Sequence, residues 1–266
     1  MPTSNVPAPG APFNFAAHLI ARTAGRAAKT AFVDDAGTLS YGELALRIRR
    51  TAAALLAAGV RREERVLSLR LAQPKANIVD AGMIAALHQA LEHAAGNTRL
   101  KAVLLCAEGP HFSFGASVEE HLPEQCAAML QGLHRVVMQL VRFPVPVLVA
   151  VRGQCLGAGL ELAMTGHLLF ASPDARLGQP EIKLGVFAPA ASCLLPLRIA
   201  RMAAEDILLS GRSLGVEEGR RAGLVAEIAD DPEAAALAWY DSHLAGLSAS
   251  SLRFAVQAAR EDFCAQ

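Results

Sequence analysis

Apolar runs alternate with segments in which apolar residues recur at helical spacing. From Val66 onward the short run VLSLRL is followed by the helical pattern DAGMIAALHQALEHAA and by a second run, KAVLLCAE. A helical pattern that ends at Val141 then precedes the run PVPVLVAV. Strands that alternate with helices are typical of α/β domains with covered sheets. The pattern therefore predicts an α/β domain over residues 66–266.

The first 65 residues show a different pattern. After a proline-rich start, FNFAAHLIARTAGRAA has helical spacing. The stretch TAFVDDAGTLSYGEL predicts a strand, a turn region containing Asp and Gly, and a helix start capped by Ser40. The helix YGELALRIRRTAAALLAAG is predicted to stop at Gly59. We expect residues 1–65 to form a short, partly ordered α/β segment before the main domain.

Composition and charge exclude several classes of protein. The 266 residues are 53% hydrophobic, and 25 basic side chains balance 25 acidic ones, so no global charge attracts nucleic acid or an anionic membrane. The longest apolar stretch, FPVPVLVAV, is far shorter than the ~18 residues of a membrane span. These features predict a soluble protein with neither a nucleic-acid partner nor a membrane partner.

Cysteine and histidine spacing argues against a metal site. The five cysteines form no CxxC pair, which suits the reducing cytoplasm. His88 and His93 are five residues apart, whereas a shared helical face needs a spacing of three or four. We expect a cytoplasmic protein without a metal ion.

The stretch VRGQCLGAGLELAMTGHLLF, residues 151–170, joins a buried strand to a helix and carries a single carboxylate, Glu161. Ligands of α/β proteins bind at such carboxyl ends of strands. The dinucleotide motif fails because Leu162 replaces its third glycine, and no GK[ST] follows for a phosphate loop. What remains is a set of backbone N–H groups near Ala158 and Gly159, suited to a developing negative charge.

Two further segments carry candidate chemistry. In HFSFGASVEEH, residues 111–121, Gly115 and Ala116 leave the backbone uncovered, so that a second N–H can point at the same ligand atom. The segment LGQPEIKLG, residues 177–185, places Glu181 among mostly apolar neighbours. Taken singly, each feature is also explained by packing, by a helix-dipole contact or by an ordinary loop carboxylate.

Together, FGAS, GAGLE and GQPE resemble the crotonase, or enoyl-CoA hydratase, superfamily in their joint order, from about Val66 to Phe263. The resemblance implies a crotonase-like spiral of ββα units. It also implies that the N–H groups of Ala116 and Ala158 hold the thioester oxygen of an acyl-CoA, although the family usually has glycine in place of Ala158. Glu161 and Glu181 would then hold and activate water.

The chemistry of hydration needs one ionised carboxylate and one protonated carboxyl group. The helix start is expected to favour the charged form of Glu161, and apolar surroundings are expected to favour the neutral form of Glu181. We therefore expect Glu161 to act as the base and Glu181 as the acid. No cofactor is expected, since coenzyme A is part of the substrate.

Longer segments resemble the subgroup that hydrates a cyclic dienoyl-CoA in anaerobic benzoate breakdown. These segments are PKANIVDAGMIAAL, GPHFSFGASVEEHLP, LGQPEIKLGVFAPAASCLLP and LSASSLRFAVQAAR. The resemblance makes Phe112, Phe114 and Phe187 candidate walls for a flat ring, with burial in the core as the alternative. Lys75 and Ala76 are the candidate CoA-binding residues.

The N-terminal segment resembles the start of benzoate-CoA ligases, but no ATP-binding loop follows, which excludes ligase activity. We expect a fusion of two pathway genes in which the crotonase-like domain is incomplete at its C-terminus. The last predicted helix carries Leu252, Phe254, Ala255 and Ala258 on roughly one face, which needs an apolar partner. The homotrimer or hexamer usual in the family is therefore in doubt. Two alternatives stay open: a general enoyl-CoA hydratase, and a non-catalytic fragment that at most binds acyl-CoA.

Overall fold

The computed structural model describes residues 15–34, 37–57 and 65–264. The chain divides into two compact units, Met1–Glu63 and Glu64–Gln266. In the first unit the elements are α1 (Phe15–Thr23), a 3-10 helix (Ala24–Arg26), β1 (Thr30–Asp34), β2 (Gly37–Ser40) and α2 (Tyr41–Ala57).

The first unit is built on an antiparallel hairpin of β1 and β2 followed by α2. Ser40 and Glu43 cap this helix reciprocally: the Glu43 N–H donates to Ser40 Oγ at 3.3 Å, and the Ser40 N–H donates to Glu43 Oε2 at 2.8 Å. The predicted strand and the Ser40 cap are thus confirmed. Strand β2 was not predicted, because four residues show too little alternation. The predicted stop at Gly59 lies outside the described residues.

The second unit contains a five-stranded parallel sheet in the order β10-β7-β5-β4-β3 and a three-stranded sheet in the order β6-β8-β9. Its strands are β3 (Val66–Leu71), β4 (Ala102–Ala107), β5 (Val147–Val151), β6 (Gln154–Leu156), β7 (Leu168–Ala171), β8 (Arg176–Gly178), β9 (Ser213–Gly215) and β10 (Glu227–Ile228). Its α-helices are α3 (Ala81–Ala95), α4 (Pro123–Val141), α5 (Ala158–Met164), α6 (Pro189–Arg198), α7 (Arg201–Ser210), α8 (Val216–Ala222), α9 (Pro232–His243) and α10 (Ala249–Cys264). Two 3-10 helices span Glu119–His121 and Pro180–Leu184.

Both faces of the five-stranded sheet are buried, as β4 shows. Val103 and Leu105 belong to the large core that also holds residues of α3 and α4. Leu104 and Cys106 point the other way, into a second cluster with residues of α9 and α10. Because alternate side chains of a strand face opposite sides, burial on both sides requires an unbroken apolar run. This explains why AVLLCA carries no polar residue.

The last helix, α10, buries a different face from the expected one. Leu252 and Val256, four residues apart, are buried, whereas Phe254 is 72% exposed. Ala255 and Ala258 are also exposed. Positions 252 and 256 lie one turn apart on the same stripe of the helix, while Phe254 is turned away from it. The face predicted from sequence was therefore wrong beyond Leu252.

The parallel strands bring the predicted site segments to one edge of the sheet. Strands β3, β4 and β5 end at Leu71, Ala107 and Val151, and their carboxyl ends share an edge because the strands are parallel. The segments that follow them are residues 72–80, 108–118 and 152–157, and the last of these contains β6. In the described part of the chain, no helix is long and apolar enough to span a bilayer.

Candidate active site

The loop that carries Ala116 is bonded to the loop after β3. The Val79 N–H donates to Gly115 O at 2.9 Å, and the Ser117 N–H donates to Val79 O at 3.2 Å. Nearby, the Phe114 N–H donates to Ala76 O at 3.1 Å. These bonds on both sides of Ala116 fix the direction of its own N–H.

Two buried polar side chains, which the sequence did not reveal, hold this loop from within. Ser113 Oγ donates to Asn77 O at 2.7 Å and accepts from the Gly115 N–H at 3.1 Å. Asn77 Nδ2 donates to the carbonyls of Glu108 and His111, both at 2.9 Å. Buried polar groups need hydrogen-bond partners. The partners here come from the segments after β3 and β4, so these bonds stabilise the loop only when both strands are in place.

A second backbone donor lies next to the first. An added Cβ at Gly115, whose φ is +107°, would stand 3.8 Å from the Ala158 nitrogen, so the two loops are in contact. Gly157, just before Ala158, donates its N–H to Gly178 O at 2.9 Å. In the part of the chain that the structure describes, the N–H groups of Ala116 and Ala158 donate no hydrogen bond. Two backbone donors are therefore available to a ligand oxygen.

Glu161, one turn into α5, is 3% exposed, and its Oε1 accepts from the Ala191 N–H at 2.8 Å. The pKa of this carboxyl is raised to about 7, chiefly by burial and in part by the nearby charge of Glu181, against the lowering effect of the Ala191 N–H. The expectation that the helix start keeps Glu161 charged is therefore wrong. Loss of solvation outweighs the few free N–H groups of a short helix.

Glu181 lies on the 3-10 helix Pro180–Leu184 and faces the turn before α5. A Cβ added at Gly157 would stand 2.7 Å from Glu181 Oε1, which puts this carboxyl beside the Ala158 donor. Burial raises its pKa, while its own backbone N–H and the charge of His121 lower it. The buried amide of Gln179, with its nitrogen turned toward Glu181, donates to the two carboxylate oxygens at 3.1 and 3.0 Å.

The two carboxyl groups thus form an interacting pair next to the two backbone donors. Burial raises both pKa values, and the charge of Glu181 adds to the rise at Glu161. Such a pair can hold one carboxyl neutral and the other charged. It can accept a proton from one atom and deliver one to another, beside donors for a developing oxyanion.

The three predicted ring-contacting phenylalanines differ in exposure. Phe112 has no exposed surface and belongs to the large core, so its side chain packs in the interior and forms no accessible wall. Phe114 is 43% exposed and meets the His111 ring edge-on, with centroids 5.0 Å apart. Phe187 is 67% exposed. Only the last two offer a surface to a ligand.

Lys75 and Ala76 lie in the loop after β3. Lys75 is exposed, with a φ of +78°, and the Ala76 carbonyl accepts from Phe114 as described above. An open cavity beside this loop is lined by Gln73, Lys75, Glu108 and His111, among others. Within the described residues no group of three or more metal-ligating side chains converges.

Two backbone donors thus lie beside two carboxyls with raised pKa values, an arrangement that suits acid–base chemistry on a substrate that develops an oxyanion. Residues 61–265 match the sequence profile of the family described as enoyl-CoA hydratase/isomerase. The chain belongs to this family.

Similar proteins support the same family assignment. Over 201 residues, 76% of this chain and 78% of the relative, the chain is 65% identical to the cyclohexa-1,5-dienecarbonyl-CoA hydratase of Thauera aromatica. It is 33% identical to the 2,3-dehydroadipyl-CoA hydratase of Escherichia coli (strain K12), over 64% of this chain and 68% of that protein. A solved enoyl-CoA hydratase/isomerase family protein from Silicibacter pomeroyi superposes with a TM-score of 0.68 at 27% identity, covering 76% of this chain and 87% of that one. The expected crotonase fold is confirmed.

Proposed function

We propose that this protein adds water to cyclohexa-1,5-diene-1-carbonyl-CoA, as a hydro-lyase of anaerobic benzoate degradation. The observation that carries the proposal is the 65% identity to a relative that bears this activity in its name. The presence of both Glu161 and Glu181 beside two free backbone donors supports hydration, which needs two proton transfers.

The proposed reaction follows from the site. Water oxygen bonds to a carbon of the conjugated diene, the π electrons move toward the thioester, and negative charge develops on its oxygen. The N–H groups of Ala116 and Ala158 donate hydrogen bonds to this oxygen, each worth about 2.7–4 kcal/mol of the barrier. One carboxylate takes the proton that water loses, and the neutral carboxyl delivers a proton to the substrate carbon, so that one water is added in total.

One proton shared by Glu161 and Glu181 leaves one carboxyl charged, to accept a proton from water, and the other neutral, to donate a proton to the substrate. Deep burial favours Glu161 as the protonated member before substrate binds, which removes the electrostatic reason for assigning it as the base. Glu181, less buried and held by Gln179, then becomes the stronger candidate for the base. The pair is fully competent only while it holds a single proton.

The substrate's two ends would meet different surfaces. The exposed faces of Phe114 and Phe187 suit a flat ring, since aromatic groups stack well with other π systems. The loop with Lys75 and Ala76 would bind the CoA part, with the lysine as a cation for a phosphate.

Coenzyme A arrives with the substrate, and no separate cofactor takes part in the proposed reaction. An acyl-CoA substrate and cysteines without a CxxC pair favour the cytoplasm.

We further propose that the first unit is a benzoate-CoA ligase-like segment without ligase activity, and that the protein forms a looser, concentration-dependent oligomer than the homotrimer or hexamer usual in the family. Helices this short are marginal unless packed. Amide exchange over residues 15–34 and 37–57 should then be faster than over residues 147–168. Equal protection would contradict this view of the segment. Light scattering measures the assembly.

The test of the proposed function is a side-by-side assay of the purified protein with cyclohexa-1,5-diene-1-carbonyl-CoA and crotonyl-CoA. A higher kcat/KM with the cyclic dienoyl-CoA supports the proposal. Faster turnover of crotonyl-CoA would make the protein a general enoyl-CoA hydratase. Binding of both without turnover would make it an acyl-CoA-binding protein.

A further inference from the structure

Helix α6 holds helix α5 at two points. Near the start of α6, the Ala191 N–H donates to Glu161 Oε1 at 2.8 Å. At its last residue, Arg198 Nε and Nη2 donate to Met164 O at 3.0 and 2.7 Å, and Nη2 also donates to Gly166 O. Met164 is the last residue of α5, so one helix contacts both the carboxyl group and the C-terminal carbonyls of the other.

Helix α5 needs such external bonds because it is only seven residues long. A helix of this length is not stable by itself, and its last carbonyls have no partner within the helix. Burial lowers the pKa of Arg198 to about 10, which still leaves the guanidinium charged at neutral pH. Its bonds to the two carbonyls are therefore charge-assisted, the stronger kind.

We propose that Arg198 is a positioning residue that fixes α5 and, through it, the Ala158 N–H and the Glu161 carboxyl. The inference rests on the function proposed above. Arg198 acts at the far end of the helix from Ala158 and touches no reacting atom. Because backbone donors and proton-transfer groups must be placed to within a fraction of an ångström, a helix free to shift lowers turnover more than binding.

The kinetic test compares Arg198→Met with Arg198→Lys, using cyclohexa-1,5-diene-1-carbonyl-CoA. Methionine keeps much of the apolar stem and removes the donors, so kcat should fall by about 10- to 100-fold while KM changes by less than about threefold. Lysine restores a charged donor and should recover part of kcat. Wild-type kcat in Arg198→Met, or an equal change in KM and kcat, would overturn the proposal. If Arg198→Met does not fold, a lowered kcat in Arg198→Lys supports it and an unchanged kcat overturns it.

A matched control separates positioning from general stability. Arg260 is buried, whereas Arg198 is half-buried, and like Arg198 it donates to the last residue of a helix, since its Nη1 lies 3.3 Å from the carbonyl oxygen of Val141 at the end of α4. Arg260→Met removes a similar contact, one that is made to α4 and not to α5. It should therefore lower stability while leaving kcat within about twofold of wild type. Equal losses of kcat in both variants would show that Arg198 has no special role.

Amide exchange without substrate keeps this inference independent of the proposed reaction. In Arg198→Met, faster exchange should be concentrated in residues 158–166, and in Arg260→Met it should not. If the wild type fails to hydrate the dienoyl-CoA, the proposed function fails while the exchange comparison still decides the role of Arg198. Unchanged exchange over residues 158–166 would then overturn it.

Discussion

The two glutamates lie on segments of opposite character. Every residue of α5, which carries Glu161, is buried. No residue of the 3-10 helix that carries Glu181 is buried, and large apolar side chains on it and just after it are exposed, namely Ile182, Leu184, Val186 and Phe187. One carboxyl is therefore part of the core, and the other lies half-buried on a segment with exposed apolar side chains.

This difference in burial corresponds to two separate requirements of one site. Donors and a carboxyl that must keep their geometry during the reaction are best placed on a packed element. A surface that must bind a ring and release a product needs exposed apolar side chains. Clusters of exposed apolar side chains are uncommon elsewhere on protein surfaces. In the proposed function, the buried segment supplies the fixed part, and the segment after Glu181 supplies the part that would contact the ring.

The largest expected effect comes from removing either carboxyl. Glu161→Gln and Glu181→Gln each keep the shape of the side chain but cannot exchange a proton, so kcat should fall by about 10²- to 10⁴-fold with little loss of acyl-CoA binding. Turnover assays and calorimetric titration with the product CoA thioester measure the two quantities. Glu205→Gln, at an exposed position of α7, is the control. Turnover comparable with that of wild type in either variant would remove that glutamate from the mechanism.

Much of the buried segment was predictable from sequence, because apolar runs and helical spacing report burial directly. The strands β3, β4 and β5 were found in this way, whereas the site motifs around Glu161 and Glu181 were found from their resemblance to the crotonase superfamily. Three-residue strands such as β6, β8 and β9 carry too few positions for any period to show. They were missed for that reason.

The interactions that tune the site could not be predicted. Asn77 and Gln179 are polar residues whose importance comes from partners brought near by folding, and no spacing in the sequence reveals them. The raised pKa of Glu161 has the same origin, because the burial that causes it is a property of the assembled core. Sequence identified the residue types at the site, while folding determined their environment.

The second expected effect is on stability. Burial raises the pKa of Glu161 from 4.5 to about 7, so the folded state holds its proton more tightly than the unfolded state. Below pH 4.5 Glu161 is protonated in both the folded and the unfolded state, so the wild type loses no unfolding free energy there. As the pH rises toward 7 the wild type loses about 3 kcal/mol of unfolding free energy, which Glu161→Gln does not lose.

Urea denaturation at pH 4 and pH 8 measures this difference. The unfolding free energy of Glu161→Gln should rise relative to wild type by about 3 kcal/mol between these values, while its activity is lost. Glu205→Gln should show no such trend. A constant difference between Glu161→Gln and wild type across this range would mean that the carboxyl is solvated in the folded state, and the contrast between the two segments would fail.

A smaller effect tests the contact between the two segments. Gly157 has a φ of +52°, and a Cβ there would stand 2.7 Å from Glu181 Oε1; Gly185 has a φ of +77°, and a Cβ there would meet nothing within 4 Å. Alanine at either position should cost about 1–3 kcal/mol of stability through backbone strain. Only Gly157→Ala should also displace Glu181 and lower kcat, by about tenfold. Equal kcat in the two variants would show that the position of Glu181 does not depend on this contact.

The smallest expected effect concerns the exposed segment. Phe187, 67% exposed, should stack against the ring of a cyclic substrate, and such aromatic contacts are worth about 0.5–1.5 kcal/mol. Phe187→Ala should therefore lower kcat/KM for cyclohexa-1,5-diene-1-carbonyl-CoA by about 2- to 10-fold and change the value for crotonyl-CoA less, because the latter has no ring. Phe254→Ala removes a phenylalanine that is 72% exposed on α10 and should change neither value. An equal loss with both substrates would mean that Phe187 contacts the part they share, the CoA thioester, and that the ring is recognised elsewhere.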